Sequence, residues 1–321
     1  MIVKCRFFWY PKAMRSQRSS ILCWAGTARR DRFACLLAVS WLVASIVGGG
    51  PLRADDRYGI FITKIDGSEV RKIVQVEGYE FHAAPRWSHD GKRLAFDVRN
   101  GPDYNQKKIF LINFDGSGLR EFGEEANCDW APDDKQIVCS VYGGHREREG
   151  VYVQNVDGGG REFLVYGSSP RWNADGSKIA YTDWRTVKLF DVASGEQETL
   201  FDVPLDQRPF QFDWSRDGQR LGVVARQQGA ATRELYILDA AEFVHELKPR
   251  WSTPKEFPGF VSWSPDGKQL AITPESYIHL IDVEGTSQPK RLPGQTAPSY
   301  EPHWSPDGKW IVFARRPISR S

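Results

Sequence analysis

Residues Val261–Thr273 read VSWSPDGKQLAIT, and the same pattern occurs six times along the chain. Its tryptophan recurs as Trp87, Trp130, Trp172, Trp214, Trp263 and Trp304, at intervals of 43, 42, 42, 49 and 41 residues. A near-constant period of this size marks one supersecondary unit stacked on copies of itself. After the tryptophan comes a polar turn, SHDG at Ser88–Gly91, NADG at Asn173–Gly176, SRDG at Ser215–Gly218, and SPDG at Ser264–Gly267 and Ser305–Gly308. Asp bonds its own backbone and Gly accepts positive φ without steric cost, so Asp-Gly reverses the chain tightly. The apolar runs that follow, such as RLAFDV, QIVCSV and KIAYTD, are antiparallel partners of the tryptophan strands. A third strand (KIFLINFDG, GVYVQNVDG) and a weaker fourth (LREFGE, REFLVY) complete each unit. Four short antiparallel strands per period of about forty residues make a propeller blade, so the fold class is all-β and the architecture a six-bladed β-propeller.

The repeat resembles that of the TolB-type, WD-like propeller family, whose pattern is Pro-x-Trp-Ser-Pro-Asp-Gly, an apolar strand, and then Ile-Tyr-x-x-Asp. The resemblance runs from about Tyr58 to Arg316 and covers the propeller of that family, not its N-terminal α/β domain. Five of the six copies keep Asp-Gly, and the second reads Pro132-Asp133-Asp134 instead. The first folded piece, YGIFITKIDG and EVRKIVQV, matches a third and fourth strand, whereas the C-terminal PHWSPDGKWIVFARR supplies a first and second. Pairing the two halves closes the ring and leaves no sheet edge open.

Residues 1–54 differ in kind, with nine Lys or Arg against one acid, Asp31. Phe33–Val47 is fifteen residues without charge, shorter than the roughly twenty a membrane span needs. Flanked by Arg29, Arg30 and Arg32 before and Gly48-Gly49-Gly50-Pro51 after, it reads as a secretory signal peptide cleaved after Ala54, with an uncleaved anchor as the alternative. Met14 is a second candidate start. The propeller is then residues 55–321. The whole-chain net charge of +2 comes from the leader, since 34 basic and 40 acidic residues follow it. A nucleic-acid surface needs a basic stripe, so that class of partner is excluded. The long fourth interval lies in Ala240–Phe260, which includes the off-repeat Trp251 and reads as a surface loop.

The tryptophan strand is the innermost in this family, so its neighbours border the central channel. The residues just before each tryptophan are Arg86, Asp129, Arg171, Asp213, Ser262 and His303. Two readings stand side by side: a ring of ion pairs between neighbouring blades, or a polar lining that holds an anion, a metal or a peptide end. Two residues further back the lining reads Ala84, Asn127, Ser169, Gln211, Phe260 or a neighbour, and Glu301. His82 and His303 fall near the first strands of adjacent blades, where they are a candidate pair. Two such ligands do not make a metal site, so no cofactor is expected, although a divalent metal in the channel stays open. Cys128 and Cys139 flank the second turn symmetrically, and this places them opposite each other as a disulfide in an oxidising compartment.

There is no G-x-S-x-G, H-E-x-x-H, P-loop or C-x-x-C in the chain. The leading reading is therefore an exported, non-enzymatic scaffold that binds a protein or peptide in the cell envelope, as the resemblance implies. It meets a membrane only through an uncleaved leader. The alternatives are a metal-assisted lyase or hydrolase of an acidic sugar, with its site in the channel, and an envelope carbohydrate or metal sensor.

Overall fold

A computed structural model of the chain describes residues 59–100, 107–142, 148–202, 207–227, 233–240, 251–253, 259–285 and 288–315. The leader, His145, His245 and most of the segment 240–260 lie outside them.

Each tryptophan turn is built from side chains that take up their own backbone. In the first, the Ser88 hydroxyl donates to Asp90 at 2.6 Å, Asp90 accepts the Lys92 amide, and Ser88 Oγ accepts the Arg93 amide. The same three bonds recur at Ser215–Arg220, Ser264–Gln269 and Ser305–Trp310. Gly91, Gly218, Gly267 and Gly308 take φ between 67 and 72° at the reversal. In the second copy Asp134 occupies that left-handed position, with φ 58°. The substitution puts its carboxylate to use, for it accepts the His89 and Asp90 amides of the preceding turn at 2.7 and 2.8 Å. The departure from Asp-Gly thus pins two neighbouring blades together.

The described chain opens with β1 (Gly59–Lys64) and β2 (Val70–Val74). Blade one follows as β3 (Phe81–Trp87), β4 (Arg93–Arg99), β5 (Lys108–Asn113) and β6 (Arg120–Gly123). Blade two is β7 (Ala126–Trp130), β8 (Gln136–Val141), β9 (Gly150–Asn155) and β10 (Glu162–Val165). Blade three is β11 (Ser168–Trp172), β12 (Lys178–Thr182), β13 (Thr186–Asp191) and β14 (Gln197–Asp202). Blade four is β15 (Gln207–Trp214), β16 (Arg220–Gln227), β17 (Arg233–Asp239) and β18 (Trp251–Thr253). Blade five is β19 (Val261–Trp263), β20 (Gln269–Ile272), β21 (His279–Asp282) and β22 (Lys290–Arg291), and β23 (Ser299–Trp304) and β24 (Trp310–Arg315) end the ring.

Blade six is ordered β2-β1-β24-β23, so the first described strand completes the sheet begun by the last. Their register runs without a break from Gly59↔Arg315 to Lys64↔Trp310. Part of the long fourth interval is not a loop, because β18 forms the outer strand of blade four and pairs Leu235 with Trp251.

The buried residues divide into six clusters, and each cluster joins two adjacent blades. Ala95, Ile109 and Leu111 meet Cys128, Trp130 and Ile137 between blades one and two. At the closure, Ile60, Ile62 and Val312 meet Trp87, Leu94 and Phe96 in the same manner. A single blade cannot bury its flat faces alone, so the ring is the smallest unit that satisfies them. Cys128 on β7 and Cys139 on β8 form a disulfide, with Cα atoms 4.2 Å apart, as the symmetric spacing about the turn anticipated.

Candidate functional site

Every innermost strand except β19 carries a register irregularity just before its tryptophan. At four of these Ala84, Asn127, Ser169 and Glu301 hold φ between 46 and 58°, the left-handed region that side chains avoid at about 1–2 kcal/mol per residue. Backbone N–H groups at and beside these bulges point toward the preceding blade, where side chains accept them.

Two rings of acceptors result. In the ring nearer the turns, Asp129 accepts the Trp172 amide at 2.9 Å and Asp213 the Trp263 amide at 3.1 Å. Ser262 Oγ accepts the Trp304 amide at 3.2 Å, and His303 Nδ1 accepts the Trp87 amide at 3.1 Å. Aspartate, serine and neutral histidine share the one property this position needs, a lone pair.

Arg86 and Arg171 have none to offer, and their guanidinium groups enter the channel. Arg86 Nη1 lies 3.0 Å from Asp213 Oδ1. These residues stand on blades one and four, opposite each other in the ring, so the bond crosses the axis. Arg171, only 2% exposed, gives Nη2 to Gln211 Oε1 at 3.1 Å and Nη1 to the Pro170 carbonyl at 2.7 Å. The expected chain of ion pairs between neighbours therefore takes a different form. The carboxylates turn sideways to the tryptophan amides, and Arg86 reaches Asp213 across the channel. Desolvation lowers the Arg171 pKa to about 10, with Arg86 adding repulsion, and desolvation raises that of Asp213 against the pull of Arg86.

The second ring lies deeper. Asp97 accepts the Asn127 amide at 3.1–3.2 Å and Ser140 Oγ the Ser169 amide at 2.9 Å. Asp97 and Ser140 each stand ten residues after their tryptophan. The equivalent in blade six is Ala314, which has no acceptor, and Glu301 accepts the Ala84 amide in its place. Glu301 keeps partial access to the lumen, yet desolvation, with the nearby charge of Asp97, pushes it up to about 7. Lys107 Nζ sits 3.6 Å from Asp97.

His82 and His303 are each committed to a backbone amide rather than to a shared ligand. His82 Nε2 accepts the Val76 amide at 2.8 Å, its ring stacks on Phe96, and burial lowers its pKa to about 4. Burial likewise holds His303 well below its ordinary value, and its bonded Nδ1 leaves the proton on Nε2. Among the described residues no group of three His, Cys, Asp or Glu side chains is placed to hold a metal.

Above the first ring, on the face of the turns, a pocket of about 290 Å³ is lined by Asp129, Asp213, His303 and the edges of Trp172, Trp214 and Trp304. Arg216 spans two turns at its rim, donating Nη1 to the Pro306 carbonyl at 2.7 Å. Sequence reasoning found the residues before each tryptophan but missed Asp97, Ser140 and Arg216. A usable signal existed for the first two, each a polar side chain set in an otherwise apolar strand.

No family model matches the chain. Among curated proteins it is 30% identical over 177 residues to the uncharacterized peptidase YuxL of Bacillus subtilis, covering 51% of this chain and 24% of that protein. It is 26% identical over 284 residues to dipeptidyl-peptidase 5 of Porphyromonas gingivalis, covering 79% and 40%. The chain thus spans half or less of the length of the curated relatives it matches. Among solved structures, a TolB-type protein from Agrobacterium tumefaciens superposes with a TM-score of 0.62 at 19% identity, over 81% of this chain and 98% of that one. TolB from Acinetobacter baumannii superposes with a TM-score of 0.52 at 14% identity, over 81% and 63%. The fold is that of the TolB propeller.

Two consequences can be measured. Arg86→Met leaves Asp213 buried without its counter-charge and lowers unfolding stability by about 3–5 kcal/mol in denaturant titration, whereas Arg86→Met combined with Asp213→Asn recovers part of that loss. Glu301 has a folded pKa above its unfolded value, so the native state keeps a proton that the unfolded chain has released. Its contribution is therefore full below about 4.5 and is lost as pH rises through about 7. Thermal melts from pH 5 to 8 should show this decline in the parent and a flatter profile in Glu301→Gln, whose amide oxygen still accepts from Ala84.

Proposed function

We propose that this chain is an exported, non-enzymatic β-propeller that binds a protein or peptide partner at the turn-face end of its axis. The observation that carries the reading is how the lining side chains are used. Asp129, Asp213, Ser262 and His303 each take a tryptophan amide of the next blade. Groups held this way keep the ring rigid and are poor candidates for moving protons or holding a metal. Arg86 and Asp213 bridge the axis beneath the pocket, which favours a docking recess over a passage. A rigid ring with a shallow recess rimmed by turns suits recognition of a partner's protruding segment. The likeness to TolB propellers supports this class of role, and residues 1–54 together with the Cys128–Cys139 disulfide support export.

A second reading is favoured by the peptidase relatives, in which a chain like this one is part of a larger hydrolase. One experiment separates the two. The full chain and an Ala174→Arg variant, which puts a long side chain at a residue lining the pocket, are immobilised and exposed to envelope extract. Retention of one defined protein by the parent and its loss in the variant is the expected result. No retained partner, or turnover of dipeptide or polyuronide substrates by the purified chain, contradicts the proposal.

A further inference from the structure

The connections at the opposite end of the channel carry a feature that ring closure does not require. Trp184, between β12 and β13, is 54% exposed and holds φ 76°. An exposed indole gains little from folding, and a bulky residue in the left-handed region is a true outlier. The conformation is imposed by its neighbours. Asp183 Oδ1 accepts the Arg185 and Thr186 amides and the Thr186 hydroxyl, and Thr182 Oγ1 accepts the Trp184 amide. Four hydrogen bonds thus hold a large apolar side chain out in water.

Its surroundings are of the same kind. The Tyr142 ring lies 6.3 Å from Trp184 and is fixed by the Asn127 side chain, whose Nδ2 donates to its hydroxyl at 2.7 Å. Tyr166 is 58% exposed, and its neighbour Gly167 packs against Tyr181 and Thr182, next to the Trp184 turn. Tyr166 and Trp184 are the exposed large aromatic residues among those described. The Arg148 guanidinium lies 4.0 Å from the ring centres of both Phe163 and Tyr166. Among the described residues nothing accepts a hydrogen bond from the guanidinium of Arg148 or of Arg185, whereas Asp183 is consumed by its own turn and by Lys188 at 3.0 Å.

Tryptophan, tyrosine and arginine are the residues that dominate protein–protein binding energy, and rigid aromatic anchors cost little entropy to immobilise. Two guanidinium forks without acceptors match carboxylates in particular. We propose that Trp184, Tyr142, Tyr166, Arg148 and Arg185 form a second docking surface, for an acidic polypeptide segment, on the face opposite the turn-face pocket. This rests on the reading of the ring as a protein-binding scaffold, but it concerns another face, so each can fail alone.

The test uses the full chain and a fluorescein-labelled twelve-residue peptide of alternating Glu and Leu. Its controls are the same peptide with Gln for Glu, and oligogalacturonate as an anion of another class. The acidic peptide should bind, the Gln peptide should bind at least tenfold more weakly, and Trp184→Gly and Arg148→Gln/Arg185→Gln should each weaken binding about tenfold. Trp184→Gly should melt at or above the parent temperature and above Trp184→Ala, since glycine accepts the positive φ. The proposal is overturned if oligogalacturonate binds and the acidic peptide does not, or if the arginine variants bind as the parent does. It also falls if Trp184→Gly melts no higher than Trp184→Ala, for the indole would then be a packing residue and not an exposed anchor.

Discussion

The structure depends on one constraint: each blade must satisfy backbone amides that its neighbour turns toward it. A tight ring brings six inner strands side by side with no sheet bonds between them. The amides along those strands would be buried and unpaired, which is costly wherever water is excluded. The chain meets this with side-chain acceptors just before four of the six tryptophans, at Asp129, Asp213, Ser262 and His303, and ten residues after two of them, at Asp97 and Ser140. Packing clusters then seal each pair of blades, and the seam between blades six and one is built like the other five.

The constraint also accounts for the polar side chains that line the channel. Aspartate, histidine and glutamate around an axis suggest a reactive centre, yet here they are largely occupied by the backbone. Arginine appears where a lone pair is missing, and it serves the ring by other means. Arg86 ties blade one to blade four across the axis, and Arg171 spends its donors on Gln211 and on backbone carbonyls. The two surfaces proposed for binding accordingly lie at the ends of the axis, a recess on one face and an aromatic, arginine-edged surface on the other.

Blade number, strand order and the closing seam could be read directly from the sequence, because the Trp and Asp-Gly positions act through local backbone geometry that repeats in register. The disulfide was legible for the same reason, since a hairpin turn fixes which residues face each other. The partners of the lining residues were not. Arg86 and Asp213 are 127 residues apart, and only the completed ring sets them face to face. Glu301 acquires its role because Ala314 lacks an acceptor, a compensation visible only when both are seen against Ala84. Trp184 sits outside the repeat, so no periodic signal could single it out.

Amide hydrogen exchange, resolved at the six repeat tryptophans, tests the account of the inner ring most directly. The amides of Trp87, Trp172, Trp263 and Trp304, which are held by His303, Asp129, Asp213 and Ser262, should exchange only through global unfolding. Those of Trp130 and Trp214, which follow the arginine-bearing blades, should exchange measurably faster. Equal protection at all six, or rapid exchange at the first four, would contradict it.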